Sequence, residues 1–182
     1  METRKNRRDE IRSIALELFS VAGYEGTSIS DIAARLDISK AAISYHFASK
    51  DDLLVSLVEP LLDELEGVIA AHPDPDWPDG VRALAGDYFD ALVADQRLAV
   101  WVDTDRAVLS HPALGRRRRK VQDALVYAVT GPGADPADVV RATAFVGGLL
   151  RPLRRLPAAD LIANRAALLD AALVSYAPLP DD

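Results

Sequence analysis

Apolar residues recur at steps of three and four along the first part of the chain, which is the spacing of an amphipathic helix. Between residues 7 and 22 they are Ile11, Ile14, Ala15, Leu18, Phe19 and Ala22. Gly23 follows, and it predicts the end of this first helix because glycine readily adopts a left-handed backbone. Ser28 and Asp31 then form a capping-box pattern, which predicts the start of a second helix of about two turns.

A third and a fourth short pattern follow at once. Asp37 and Ile38 are expected to turn the chain, and Ser39 to cap a third helix over residues 40–46. Ser49 and Asp52 repeat the capping pattern at the start of a fourth helix over 50–71. Two helices joined by so short a turn can bury their apolar stripes only against a third element. The pattern therefore predicts a three-helix core of helix-turn-helix type with the third helix at its rim.

The third helix has few apolar residues for a core element. Between Lys40 and His46 they are Ala41, Ala42 and Ile43, so the outward face is small and polar at one end and aromatic at the other. Such a face suits a helix in the major groove of DNA, where small residues allow close approach to the bases. The alternative from the pattern alone is a solvated short helix in an ordinary bundle.

Residues 11 to 54 resemble the N-terminal domain of TetR-family transcriptional regulators. The residues that carry the resemblance are Leu18, Phe19, Gly23, Tyr24, Thr27, Ser28, Ile32, Ala33, Ser39, Lys40, Tyr45, His46, Phe47, Ser49, Lys50 and Leu53. One departure is Asp37, where the family commonly has glycine, and aspartate tolerates a left-handed backbone better than most residues. A second is Ser44, where many members have an aromatic residue.

The resemblance implies a DNA interface built on the second and third helices. Base edges would be met by Lys40, Ala41, Ala42 and Ser44, and phosphates by Thr27, Ser28, Tyr45, His46 and Lys50. Ser39, the expected cap, belongs to the same predicted interface. Ser28 is needed as a cap whether or not DNA binds, Phe47 suits the core better than a contact, and His46 could equally lie at the rim.

Charge is distributed unevenly along the chain. The net charge is −7, yet residues 1–50 hold eight Lys and Arg against seven Asp and Glu, a balance of +1, which leaves −8 for residues 51–182. Arg4, Lys5, Arg7 and Arg8 suggest a basic arm that could reach DNA. The acidic residues 51–182 would repel DNA, so the protein would approach DNA with residues 1–50 in front.

Helical patterns continue to the end of the chain, so we expect an all-α protein of about nine helices. Residues 1–50 are predicted to form the DNA-binding domain, with helix four (50–71) as the connection, and residues 51–182 a helical ligand-binding and dimerisation domain. The expected helices of this second domain span about 78–94, 97–109, 113–130, 136–155 and 159–176.

Two functions are expected of the second domain. In the family the last two helices pair across a two-fold axis, which implies a homodimer interface at Val139, Val146, Leu150, Leu161, Leu169 and Leu173. The alternative is that both helices are simply central in the monomer. A pocket for a small-molecule effector is predicted at Tyr88, Phe89, Leu92, Trp101, Asp105, Val108, Tyr127 and Phe145. Ordinary core packing is the alternative for each of these residues.

Other classes of function find little support. The basic run 116–120 wraps around a helix, so an acid-paired or solvated face is favoured over a nucleic-acid patch. The three histidines lack metal-ligand spacing, so neither an enzyme, a cofactor nor a metal site is expected. Without cysteine, a membrane-length apolar run or a signal region, the expected location is the cytoplasm. The sequence thus predicts a regulator, expected to be a repressor, that binds a near-palindromic double-stranded operator and is released by a small molecule. The rival is a helical protein-interaction module.

Overall fold

A computed structural model of the chain describes the backbone of residues 2–177 and the side chains of residues 7–177. Within that range the chain is all-α, as predicted, with eleven α-helices, one short 3-10 helix (Arg151–Arg154) and no β-strand. The α-helices are α1 (Glu2–Gly26), α2 (Ile29–Arg35), α3 (Lys40–His46), α4 (Lys50–Ala71), α5 (Asp79–Ala94), α6 (Gln96–Thr104), α7 (Arg106–Ser110), α8 (Leu114–Thr130), α9 (Pro136–Leu150), α10 (Ala158–Ala163) and α11 (Arg165–Tyr176).

The number of helices exceeds the expected nine because two predicted helices are interrupted. The helix expected over 97–109 divides at Asp105, whose extended backbone and side chain cap α7. The helix expected over 159–176 divides at Asn164, which lies between α10 and α11. Pro60 lies inside α4 without ending it. A polar residue stands at each interruption, and the side chain of each one bonds a nearby backbone group, Ala107 N for Asp105 and the carbonyl of Asp160 for Asn164.

Contacts divide the chain into two compact units. The first comprises Met1–Pro60 together with Trp101–Arg116, and the second comprises Leu61–Val100 together with Arg117–Asp182. These units depart from the predicted boundary at residues 50 and 51, because α4 contributes to both and residues 101–116 pack with the beginning of the chain. The functional assignment of the two predicted domains stays a prediction.

The core of the first unit is the predicted three-helix arrangement. Its most deeply buried side chains come from α1, α2, α3 and the start of α4, and they include Ile11, Phe19, Ile32, Ile43 and Leu53. The turn between α2 and α3 passes through Asp37 at φ 52°, so aspartate occupies the left-handed position expected of it. The first helix begins at Glu2, and the expected basic arm is therefore helical backbone. Arg7 and Arg8 lie on it, whereas the side chains of Arg4 and Lys5 lie outside the described residues.

The core of the second unit is formed by α5, α9 and α11. Tyr88 and Phe89 of α5 and Phe145 of α9 are almost completely buried, and Leu169 of α11 joins them. Arg82 of α5 bonds Asp170 of α11 at 2.5 Å, and Arg165 of α11 forms two 2.8 Å bonds with Asp90 of α5. Among residues 2–177, no helix is both long and apolar enough to cross a lipid bilayer.

Candidate nucleic-acid interface

Helices α2 and α3 are positioned by hydrogen bonds at their first turns. Ser28 caps α2 in a full capping box, in which Asp31 N donates to Ser28 Oγ at 3.2 Å and Ser28 N donates to Asp31 Oδ2 at 2.7 Å. The bonds from Ser28 lower the pKa of the Asp31 carboxyl below its ordinary value. Ser39 caps α3 by accepting from Ala42 N at 3.1 Å. These caps fix where α3 begins, and therefore which of its residues face outward.

The exposed face of α3 carries the residues predicted to read bases. Ile43 is fully buried against the core, and Ala42 is half-buried. Lys40, Ala41 and Ser44 are exposed. An ammonium group, a methyl group and a hydroxyl therefore share the outward side of one short helix, which is a composition that can approach and distinguish base edges.

The residues predicted to bind phosphate lie at the C-terminal end of α3 and the start of α4. Tyr45 is 66% exposed, and its ring contacts the half-buried His46 edge-on at 5.2 Å between centroids. Lys50 is the first residue of α4, and its Nζ lies 3.9 Å from the centroid of the Tyr24 ring. Phe47 is buried, as expected of a core residue, with the Arg8 guanidinium 4.8 Å from its ring centroid.

Thr27 departs from the predicted phosphate contacts. Its side chain is buried, and its hydroxyl donates to the carbonyl of Gly23 at 3.0 Å. This bond joins the end of α1 to the start of α2, so the side chain of Thr27 is turned away from solvent. Ser28 is exposed but already accepts and donates within the capping box. Of the two, Ser28 alone presents its side chain at the surface.

Three residues predicted to line an effector pocket lie within the first unit. Trp101 is 5% exposed and stacks on Phe19 of α1, with ring centroids 5.5 Å apart. Asp105 accepts a hydrogen bond from the backbone N of Tyr24 at 3.3 Å. Val108 is fully buried. Sequence reasoning missed this link to the predicted DNA-binding residues, because its partners are more than eighty positions apart in the chain.

The other predicted pocket residues belong to the second unit. Tyr88, Phe89, Leu92 and Phe145 are buried side chains of its core. Tyr127 is 60% exposed on α8, so its ring lies at the surface of the chain rather than in the interior. Core packing, the alternative stated for each of these aromatic and apolar residues, accounts for the four buried ones.

The predicted dimer interface stays a prediction, and the single chain differs in how far it buries the predicted residues. Four of these residues are buried within their own chain: Val146, Leu161, Leu169 and Leu173. Val139 is exposed and Leu150 is half-buried. The exposed side of α9 and α11 instead carries small and apolar residues, among them Val140, Ala144, Ala171 and Val174.

A groove of about 370 Å³ runs along that exposed side. It is lined by Ala144, Gly148, Pro152, Leu156, Leu161, Asn164, Ala167, Leu168, Ala171, Ala172 and Ser175. Gly148 faces Ala172 of α11 across this groove, and a Cβ at Gly148 would lie 3.6 Å from the Cβ of Ala172, an ordinary van der Waals contact. Alanine, glycine and leucine dominate the lining, so the groove is shallow and apolar.

Comparison with known proteins connects these features to a family. Residues 11–57 match the family described as "Bacterial regulatory proteins, tetR family". The N-terminal domain belongs to the TetR family. The match covers α2, α3 and the residues on either side of them, including every residue predicted to contact base edges or phosphates on α2, α3 and the start of α4.

Curated relatives are similar to this chain over about a third of its length. The biofilm operon icaADBC HTH-type negative transcriptional regulator IcaR of Staphylococcus aureus (strain Newman) is 40% identical over 62 residues, which are 34% of this chain and 33% of that protein. The chain thus matches about a third of the length of this curated relative.

Solved structures of TetR-family regulators share the fold over most of the chain. SCO3833 from Streptomyces coelicolor A3 has a TM-score of 0.73 at 20% identity, covering 94% of this chain and 91% of that one. PfmR from Thermus thermophilus has a TM-score of 0.68 at 20% identity, covering 92% of this chain and 99% of that one. At such identity the likeness concerns the fold alone, which these two structures share with most of this chain.

Proposed function

We propose that this chain is a DNA-binding transcriptional regulator that acts as a dimer and represses the genes beside its operator. The observation that carries the proposal is the outward face of α3, where Lys40, Ala41 and Ser44 are exposed on a helix whose start is capped within a TetR-family domain. Phosphate contacts at Tyr45, His46 and Lys50 would position this helix in the major groove. Repression is supported by the negative regulator IcaR, which is 40% identical to this chain over 62 residues.

Geometry favours a dimer over a single copy for the selective reading of DNA. One helix of seven residues reads too few bases to be selective, whereas two copies related by a two-fold axis read a near-palindrome. In the DNA-bound dimer the two copies of α3 would lie about 34–36 Å apart, one turn of the double helix. The exposed small-residue face of α9 and α11 is the surface we assign to the second copy, because it offers a shallow apolar groove of about 370 Å³.

Control by a small molecule completes the proposal, and the family resemblance supports it. A ligand that lowers operator affinity must itself bind more weakly to the DNA-bound protein, because the coupling between two sites is reciprocal. Release would follow if the ligand favours a separation of the two copies of α3 that no longer matches successive major grooves. An affinity for ligand that is the same with and without operator would exclude this part of the proposal.

The experiment that tests DNA binding begins with fragmented genomic DNA from the source organism. Fragments retained by the full chain are sequenced, and a labelled duplex of the enriched sequence is titrated by fluorescence anisotropy at several salt concentrations. We expect a near-palindromic sequence and an affinity that falls steeply as salt rises, because phosphate neutralisation releases counterions. Retention of no sequence, or binding insensitive to salt, would favour the rival function of a protein-interaction module.

A further inference from the structure

The carboxylate of Asp105 is the meeting point of three hydrogen bonds within the first unit. Its Oδ2 accepts from Trp101 Nε1 at 3.0 Å and from Tyr24 N at 3.3 Å. Its Oδ1 accepts from Ala107 N at 2.8 Å and so caps α7. Of these three bonds, the one from Tyr24 reaches the helix-turn-helix region, and it joins the end of α1 to the junction of α6 and α7.

Gly23 explains why the amide of Tyr24 is available to Asp105. Its backbone lies at φ 76° and ψ 160°, a conformation that essentially only glycine adopts. This conformation interrupts α1 at Gly23. Since the next amide is turned out of the regular helical ladder, it needs another acceptor. Asp105 supplies that acceptor with a charged oxygen, which makes a stronger bond than a neutral one.

The ring of Tyr24 carries the connection onward to Lys50. It packs against Phe19 with centroids 5.3 Å apart, and Phe19 stacks on Trp101. The ammonium of Lys50 lies 3.9 Å from the centroid of the Tyr24 ring, well within the range of a cation–π interaction. Trp101 therefore supports Tyr24 in two ways, through Phe19 to the ring and through Asp105 to the backbone.

We propose that Asp105 is a positioning residue for DNA binding, which holds Lys50 at the phosphate backbone by fixing Tyr24. Asp105 itself does not touch DNA. A lysine side chain has a flexible stem and loses rotamer freedom when it binds a phosphate. A lysine whose ammonium is already held over a fixed ring loses less of this freedom on binding. The inference rests on the proposed function, because it assumes that Lys50 contacts the operator.

The test is a double-mutant cycle between Asp105→Asn and Lys50→Ala, measured by anisotropy on the duplex selected from the source genome. Asparagine keeps the shape of the side chain and removes its charge. We expect Asp105→Asn to weaken operator binding roughly fivefold in the otherwise unchanged protein, the size of an ordinary coupling between neighbouring groups. In the Lys50→Ala background the same change should have no further effect, because the ammonium that Asp105 positions is gone.

Trp101→Phe provides a second variant that tests the same connection. Phenylalanine keeps an aromatic ring against Phe19 and removes the N–H that bonds Asp105. We expect Trp101→Phe to reduce operator affinity less than Asp105→Asn does. This reduction should also be absent in the Lys50→Ala background. This variant keeps the inference falsifiable if Asp105→Asn lowers the stability of the chain, which urea unfolding of each variant would show.

The outcomes separate this inference from the proposed function. If Asp105→Asn weakens binding equally in both backgrounds, its role is structural and the inference fails while DNA binding stands. The inference also fails if neither Asp105→Asn nor Trp101→Phe changes operator affinity. If the unchanged protein selects no duplex, the proposed function fails, and the positioning role fails with it.

Discussion

The guanidinium of Arg117 bonds the carboxylate of Glu66 at two points, with Nε 3.0 Å from Oε1 and Nη2 2.7 Å from Oε2. The same Nη2 lies 2.5 Å from Asp63 Oδ1. Arg117 belongs to the run of five basic residues in α8, so this member of the run faces acidic residues of α4. The bonds from Arg117 lower the pKa of Glu66 below its ordinary value, and those from Glu66 and Asp63 raise the pKa of Arg117.

The first prediction concerns the pH dependence of stability at this pair. Because the pKa of Glu66 is lowered on folding, its stabilising effect is present above the ordinary pKa of 4.5 and is lost as pH falls through the lower pKa of the folded protein. Glu66→Gln should remove this loss. Since Glu66 is 42% exposed, the difference should stay below about 1 kcal/mol. Urea unfolding at neutral and acidic pH measures it, with Glu64→Gln on the same helix as control. An equal effect of both changes would contradict the assignment.

The second prediction separates the two kinds of DNA contact. Lys50→Ala removes a charge aimed at phosphate, so it should weaken binding to every duplex alike and reduce the salt dependence by about one unit per half-site. Lys40→Ala combined with Ser44→Ala should instead erase the preference among operator variants, at roughly 1–3 kcal/mol per good contact. Anisotropy titrations on matched duplexes measure both effects. If discrimination survives the combined change, α3 is not the helix that reads bases.

The third prediction tests the surface assigned to the second copy. Ala171 lines the groove beside α9 and is exposed in the single chain, so Ala171→Arg should leave the fold intact. It should weaken the dimer by more than about tenfold, because a charge would be buried in an apolar contact without a partner. Sedimentation velocity over a concentration series measures the change. Ala83→Arg, at an exposed alanine of α5, is the matched control. A dimer unchanged by Ala171→Arg would place the interface elsewhere.

The fourth prediction concerns the backbone at Gly23. A Cβ added there would meet no atom within 4 Å, so the cost of Gly23→Ala arises from the backbone conformation alone. We expect a loss of about 1–3 kcal/mol in the free energy of unfolding. Gly67→Ala is the control, since Gly67 lies inside α4 with equally open surroundings, and alanine should stabilise it by about 0.5–1 kcal/mol. Denaturant unfolding compares the two. Equal changes in the free energy of unfolding for the two variants would show that the backbone conformation at residue 23 does not require glycine.

Local patterns were sufficient to predict the short helices of the predicted DNA-binding domain. Ser28, Ser39 and Ser49 are capping residues whose partners lie three positions away, so both the residue and its function can be recognised in a short stretch of sequence. The spacing of the buried apolar residues, among them Ile32 and Ile43, is also a local pattern. The boundaries predicted for α3 therefore agree with the structure.

The packing partners of the later helices could not be predicted in this way. Periodicity shows that α9 and α11 have apolar residues on more than one side, but not which side faces the core of the same chain. Val146 and Leu169 lie inside, whereas the exposed side combines alanine with Val139, Val140 and Val174. Because both sides carry apolar residues, hydropathy alone does not distinguish them. The bond between Tyr24 and Asp105 joins residues 81 positions apart, and no local pattern reports such a contact.

The stacking of Phe19 on Trp101 bears on how such proteins can exchange parts during evolution. Recombination between two such chains at a point near residue 60 would transfer the first three helices and the first half of α4. It would leave behind the segment Trp101–Arg116 that packs with them. Phe19 would then face a foreign residue, and the Tyr24 amide would lose its carboxylate acceptor. In this chain both contacts would survive such an exchange only if residues 101–116 were transferred as well.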